Sequence, residues 1–127
     1  MDEFLFLYTL LIHYLADFAL QTNDQATKKG IGYSFYNKWL LYHVGTYSFI
    51  WLFAIVTISQ IYNLTVWGCL YFVSITFILH YITDWITSRI GKPFWEKNDY
   101  HNGFMVVGID QVLHYVQLHY TFKYIVL

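Results

Sequence analysis

The sequence predicts an all-α protein, a bundle of four membrane-spanning helices with short loops, forming a single integral membrane domain over residues 1–127. Three observations predict it. The chain is 57% hydrophobic and only 12% charged, whereas a soluble domain carries about 25% charged residues. Four apolar stretches each have roughly the 17–25 residues that a helix needs to cross a bilayer. Trp39, Trp67, Trp85 and several tyrosines stand near the ends of those stretches, where amphipathic rings settle at the headgroup level.

The first segment runs from about Phe4 to Leu20. It follows Met1-Asp2-Glu3, whose charge is wrong for the start of a secretory signal, so the segment is expected to stay in the mature protein. The second runs from about Trp39 to Ser59 and the third from about Leu64 to Ile86. Gly91-Lys92-Pro93 is expected to break the chain after the third, because proline has no N–H to continue a helix. The fourth runs from about Phe104 to Val126, with Asn102-Gly103 as its start signal.

The basic residues orient these segments. Lys28, Lys29 and Lys38 fall between the first and second, and Arg89, Lys92 and Lys97 between the third and fourth. The connection near Gln60–Asn63 has none, and Lys123 stands apart near the C-terminus. Loops rich in Lys and Arg stay in the cytoplasm, which puts both termini outside.

Polar pairs interrupt the apolar stretches. His13 and Asp17, His80 and Asp84, and Asp110 and His114 are each four residues apart, so each pair shares a helix face about 6 Å apart along the axis. His43 lies in the second segment. On the topology drawn from Lys and Arg alone, all seven fall in the cytoplasmic half of the bundle. A carboxylate at mid-bilayer costs about 2.5–3.5 kcal/mol, so three cost roughly 7–10 kcal/mol unless neutralised. A bound cation neutralises them directly.

His13, Asp17, His43, His80, Asp84, Asp110 and His114 are therefore the candidate metal ligands. Zinc takes four ligands in a structural site and three plus water in a catalytic one. Seven side chains suit either two ions bridged by a carboxylate, or one ion whose ligands are held by the remaining residues. Mixed His and Asp donors suit Zn, Mn or Fe. Cys69 is the only cysteine, which excludes a thiolate cluster and a disulfide framework.

Asp17, Asp84 and Asp110 are candidates for the bridging carboxylate or the catalytic base. His101, in a loop at the cytoplasmic mouth, is a candidate eighth ligand or general acid. Gln21, which continues the His13–Asp17 row, and Asn102 are candidate substrate contacts. Lys28, Lys29, Arg89 and Lys92 would ring the mouth and either set topology or attract an anionic substrate. Gln111 points about 100° away from Asp110 and is expected to serve helix packing. His119 lies off the His114 face and is expected to be structural or interfacial.

The net charge of −1 gives no case for nucleic-acid binding. The expected activity is hydrolysis, by one or two divalent ions, of a phosphoester or acyl ester reached from the cytoplasmic leaflet, on a lipid or anionic small molecule. The alternatives are an ion or proton pathway through the same residues, a di-iron lipid-oxidising enzyme, and a structural metal site in an effector that works through a partner. The thinness of a four-helix bundle leaves a homodimer open.

Three strings carry a resemblance: His13-Tyr14-Leu15-Ala16-Asp17-Phe18-Ala19-Leu20-Gln21-Thr22, His80-Tyr81-Ile82-Thr83-Asp84, and His101-Asn102-Gly103-Phe104 followed by Gly108-Ile109-Asp110-Gln111-Val112-Leu113-His114. Across essentially its whole length the chain resembles the small phage and bacterial membrane proteins of the phiKZ type, a domain of unknown function. The resemblance implies a phage- or bacterium-encoded protein of the bacterial inner membrane. More loosely, the chain is similar to membrane-bound metal-dependent hydrolases. That likeness implies that the seven His and Asp residues belong to one active site.

Overall fold

The computed structural model describes residues 1–126. The chain is all-helical: α1 (Glu3–Tyr14), continued by a π-helical turn over Leu15–Ala19; α2 (Asn23–Lys28); α3 (Lys38–Tyr62); α4 (Val66–Glu96); and α5 (Tyr100–Thr121), continued by a second π-helical turn over Phe122–Val126. No strand occurs among the described residues. Successive long helices run antiparallel, and the contacts that show it also fasten the bundle.

Asp2 caps α1 by accepting from Leu5 N–H at 2.8 Å. Its other carboxylate oxygen accepts from the Tyr62 hydroxyl at 2.6 Å, tying the start of α1 to the end of α3. After Tyr14 the helix widens, and Leu20 N–H reaches back five residues to the Leu15 carbonyl at 3.0 Å. Such an extra residue in a turn re-aims the side chains within it. Here Asp17 is buried beside His13 while Phe18 faces outward.

Thr22 and Gln25 form a reciprocal capping box that starts α2. The segment from Lys29 to Asn37 has no regular structure, yet it is stitched in place. The Asn37 amide donates to the carbonyls of Lys28, Lys29 and Ile31 at 3.0–3.2 Å, and its oxygen caps α3 through Trp39 and Leu40 N–H. From α4, Tyr81 donates to the Phe35 carbonyl at 2.7 Å, Trp85 to that of Ser34 at 2.9 Å, and Arg89 to that of Gly32 at 2.9 Å.

The third expected segment, which is α4, departs most from expectation. It runs from Val66 to Glu96 and contains Pro93, so Gly91-Lys92-Pro93 does not break it. Pro93 stands one turn from the end, where it removes one N–H bond and crowds the Arg89 carbonyl, yet the helix runs on to Glu96. The helix stops instead at a Schellman motif. Asn98 takes a left-handed φ of 57°, Asp99 N–H bonds the Phe94 carbonyl at 2.8 Å, and Asn98 N–H bonds that of Trp95 at 3.1 Å. Asp99 at once caps α5, so that helix starts at Tyr100 rather than near Asn102-Gly103. Gly103 is needed where α5 turns back along α4, because a Cβ there would lie 2.9 Å from the Trp95 ring.

Two of the four expected spans, α3 and α4, are long and apolar enough to cross a membrane. α1 has 12 residues before its π-helical turn. α5 has 22 residues but carries Asn102, Asp110, Gln111, His114, Gln117 and His119, which dilute its apolar character.

The main apolar core gathers Trp51, Ile55 and Ile58 of α3 against Phe72 of α4, Leu118 of α5 and Phe122 beyond it. A smaller cluster joins Leu40, Val44 and Tyr81. Among the described residues, buried polar side chains slightly outnumber buried apolar ones, while Leu7, Leu11, Phe53, Ile78, Ile109 and Val112 are among many exposed apolar ones. That polarity is inverted relative to a protein folded in water.

Candidate metal centre

The polar side chains form one buried layer next to the main core. α1 and its π-helical turn bring His13 and Asp17, α3 brings His43, α4 brings His80 and Asp84, and α5 brings Asp110 and His114. All seven are buried, with His43 and Asp84 at 0% exposure. The i, i+4 rows deliver two groups per helix to this layer because both members face inward.

Four atoms define its tightest part. His43 Nε2 lies 3.0 Å from Asp17 Oδ1, 3.1 Å from Asp84 Oδ2 and 3.2 Å from His80 Nε2. His80 Nε2 lies 3.4 Å from Asp17 Oδ1 and 3.6 Å from Asp84 Oδ2. A tetrahedral ion with bonds of about 2.0–2.1 Å places its ligand atoms about 3.3–3.4 Å apart. Hydrogen bonding alone accounts for this poorly. One N–H on His43 serves one of its three close neighbours, and separations of 3.4 and 3.6 Å exceed the usual N–H···O range. A cation at the centre would serve all four atoms at once. These buried His and Asp groups can hold a metal ion.

Lys29 comes into the layer from the stitched loop. Its ammonium donates to Asp84 Oδ2 at 2.7 Å and lies 3.5 Å from His43 Nε2. Burial works against its charge, but the Asp84 and Asp17 carboxylates outweigh burial and raise its pKa above the ordinary lysine value.

His13 is held differently from the other histidines. The Gln111 amide nitrogen donates to Asp17 Oδ2 at 2.7 Å, so the amide oxygen faces His13 Nε2 at 2.8 Å. An amide oxygen only accepts, which puts the imidazole proton on Nε2. His13 Nδ1 then accepts from the Tyr47 hydroxyl at 2.9 Å. Tyr47 also stacks its ring on His80, centroids 3.8 Å apart. Gln111 thus belongs to the site and not to helix packing alone, because the polar layer borders α5 on more than one face.

Asp110 accepts from Thr87 Oγ1 at 2.5 Å and from Gln111 Nε2 at 3.2 Å. His114 Nδ1 lies 3.4 Å from Asp110 Oδ2, and His114 Nε2 lies 3.4 Å from Asp84 Oδ1.

The layer opens on a cavity of about 660 Å³ between residues 17–30, the C-terminal half of α4 and the first half of α5. Asp17, Lys29, Asp110 and Gln111 line it on the site side, and Phe18, Trp95, Val106 and Val107 contribute apolar wall. Gln21, Lys92 and Ser88 line it as well. Gln21 Oε1 and Ser88 Oγ have no hydrogen-bond partner among the described residues.

The remaining sequence candidates sit elsewhere, except Lys92 at the cavity wall. His101 is exposed on the first turn of α5, outside the ligand groups and the cavity lining. Asn102 bonds Asp99 at 2.7 Å. Lys28 pairs with Asp24 at 2.8 Å and lies over the Trp39 ring. Arg89 is engaged by loop carbonyls, and Lys92 lies 3.6 Å from Glu96. Tyr47, Thr87 and the depth of Lys29 were missed from sequence. Tyr47 follows His43 by four residues and Thr87 follows Asp84 by three, so helical spacing carried a signal for both.

Comparison with curated proteins and with solved structures finds no match. Residues 5–126 match a family described as "Protein of unknown function (DUF3307)", and the chain belongs to that family.

Proposed function

We propose that this chain is a membrane-embedded, metal-dependent hydrolase of a phosphoester or acyl ester carried on a lipid or amphiphile. The observation that carries the reading is the placement of a four-atom His/Asp cluster of metal-binding dimensions against a cavity with a charged inner end and apolar walls. A cavity of about 660 Å³ is in the range of small-ligand sites.

His43, His80, Asp17 and Asp84 are the ligands of a Zn, Mn or Fe ion. When bound, the ion supplies Lewis acidity, lowering the pKa of water towards about 7. His13 and Gln111 orient Asp17, and Tyr47 orients both His13 and His80, as partners behind metal ligands do. Asp110 reaches both the cavity and the ligand layer and is the candidate general base. Lys29 stabilises the developing anion. Lys92 and the unpartnered Gln21 and Ser88 face the polar part of the substrate, and Trp95 and Val106 its tail.

In this reading the protein lies in the inner membrane of a bacterium, with α3 and α4 as full spans and α1 and α5 packed beside them, exposing Leu7, Leu11, Ile109 and Val112 to lipid. The basic residues around α2 and the α4–α5 turn lie on the cytoplasmic side. α4 has 31 residues and is about 46 Å long, so its last turns emerge from a hydrocarbon core of about 30 Å. Those turns carry Arg89, Lys92 and Glu96 and line the approach to the site.

An ion or proton path would need polar groups beyond the layer. There the hydroxyls of Thr9, Ser48, Thr76 and Thr121 lie among Trp51, Ile55, Phe72 and Phe122, and no further buried His, Asp, Glu, Lys or Arg follows among the described residues. The reading is tested by assaying the purified chain in detergent micelles with phosphomonoester, phosphodiester and acyl-ester lipids. Hydrolysis that chelator removes and metal restores, and that Asp84→Asn abolishes in a protein that remains folded, is expected. Ion flux in liposomes without hydrolysis of any of these esters would overturn it.

A further inference from the structure

We infer that a second divalent cation binds between Asp84, His114 and Asp110, sharing Asp84 as a bridging carboxylate with the first. This inference rests on the four-ligand site proposed above and goes beyond it.

The first site uses only half of the Asp84 carboxylate. Asp84 Oδ2 faces His43, His80 and Lys29. Asp84 Oδ1 points the other way, to His114 Nε2 at 3.4 Å. Asp84 is fully buried, and among the described residues this oxygen has no hydrogen-bond partner. Neither ring nitrogen of His114 has one either, although His114 is 1% exposed. Buried polar atoms without partners are rare and costly, and three of them meet here. The 3.4 Å separations from His114 to Asp84 and to Asp110 are long for hydrogen bonds. The two contacts leave from different ring nitrogens, so an ion takes one of them and the other stays with its carboxylate.

One donor atom from each of Asp84, Asp110 and His114 falls within 4.8 Å of the other two. The two carboxylates accept while the imidazole presents a lone pair, which is a hard, borderline donor set for Zn or Mn. Water does not account for all three orphaned atoms. A void of about 10 Å³ beside His80 and His114 has room for about one water, but Asp84 does not line it.

The position makes chemical sense. Three protein ligands leave coordination free, as in catalytic sites, and Asp110 lines the cavity whereas His43 and His80 do not; with this ion bound, Asp110 is its ligand in place of the base role given above. Two ions bridged by one carboxylate stand about 3.5–4 Å apart. Charge then points to the substrate. Asp17, Asp84 and Asp110 with the Lys29 ammonium leave two negative charges, which one divalent ion cancels. A second ion leaves two positive charges, the complement of a phosphate monoester dianion.

The test is Mn²⁺ loading of the full chain in detergent, with metal per chain measured by mass spectrometry and the same sample read by electron paramagnetic resonance. Two Mn²⁺ per chain with an exchange-coupled spectrum are expected. His114→Gln and, separately, Asp110→Asn should each drop the content to one ion and leave an uncoupled six-line spectrum. The wild-type spectrum stands whether or not either variant folds. One uncoupled ion in wild type overturns the second site and leaves the four-ligand site intact. No bound ion overturns both.

Discussion

Tyr47 shows how one side chain serves the site without touching a substrate. Its hydroxyl donates to His13 Nδ1 and its ring stacks on His80. Tyr47→Phe keeps the ring and removes the bond, leaving a buried imidazole nitrogen without a partner. The expected cost is about 1–3 kcal/mol of stability, read by thermal unfolding in detergent. Metal affinity should fall severalfold, because the hydroxyl reaches the ligand Asp17 through His13 and Gln111. An unchanged affinity would separate Tyr47 and His13 from the metal site. Gln111→Leu should have a similar effect through Asp17, since its amide bridges Asp17 and His13. Residue-level legibility followed helix spacing. His80–Asp84 and Asp110–His114 were visible because four residues make one face. Gln111 was misjudged because adjacency to Asp110 says nothing about how far round α5 the polar layer extends.

At the scale of elements, the loop between α2 and α3 sets the position of Lys29. Asn37 gathers the carbonyls of Lys28, Lys29 and Ile31 and caps α3. Asn37→Ala should destabilise the protein by about 2 kcal/mol, combining a lost cap with lost buried bonds. Hydrogen exchange should rise through residues 29–37 before it rises in α3. Lys29 was placed at the mouth from sequence because nothing local shows that Tyr81, Trp85 and Arg89 draw its loop down onto α4. The end of α4 was misplaced for a related reason. Pro93 reads as a breaker, but the stop signal is the left-handed Asn98 followed by Asp99. The π-helical turn after Tyr14 has no sequence signature at all.

The α4–α5 turn also carries a pH dependence. Asn102, through its side chain and then its backbone N–H, holds the Asp99 carboxyl below its ordinary pKa. A carboxyl with a depressed folded pKa contributes stability above its unfolded value and loses it as pH falls through the folded one. The stability difference between wild type and Asp99→Asn should therefore be constant from neutral pH to about pH 4 and shrink below it. A difference that does not change with pH would show that the cap works without its charge. Gly103→Ala, which puts a methyl 2.9 Å from the Trp95 ring, should cost about 1–3 kcal/mol by overpacking and narrow the cavity.

Across the whole molecule, polarity runs from a charged layer inside to an apolar surface outside, and the chemistry sits where the two organising patterns meet. Lys and Arg placement marked one end of the bundle, and the His and Asp rows independently converged near that same end. All seven ligand candidates lie together in the folded chain because antiparallel helices of similar register bring the end of α1, the start of α3, the middle of α4 and the first half of α5 to one level. The cavity was not legible, since it depends on how the 17–30 segment stands off the α4–α5 hairpin. Nor was the closeness of the four ligand atoms, which is a property of packing rather than of spacing.

That closeness makes metal content the first quantity to measure, by mass spectrometry on detergent-purified wild type beside His80→Ala and Asp84→Asn. Zn, Mn or Fe is expected in wild type at one or more ions per chain, and is expected to be lost from both variants while circular dichroism shows their helices intact. Wild type that stays free of metal after incubation with each of the three ions would contradict it.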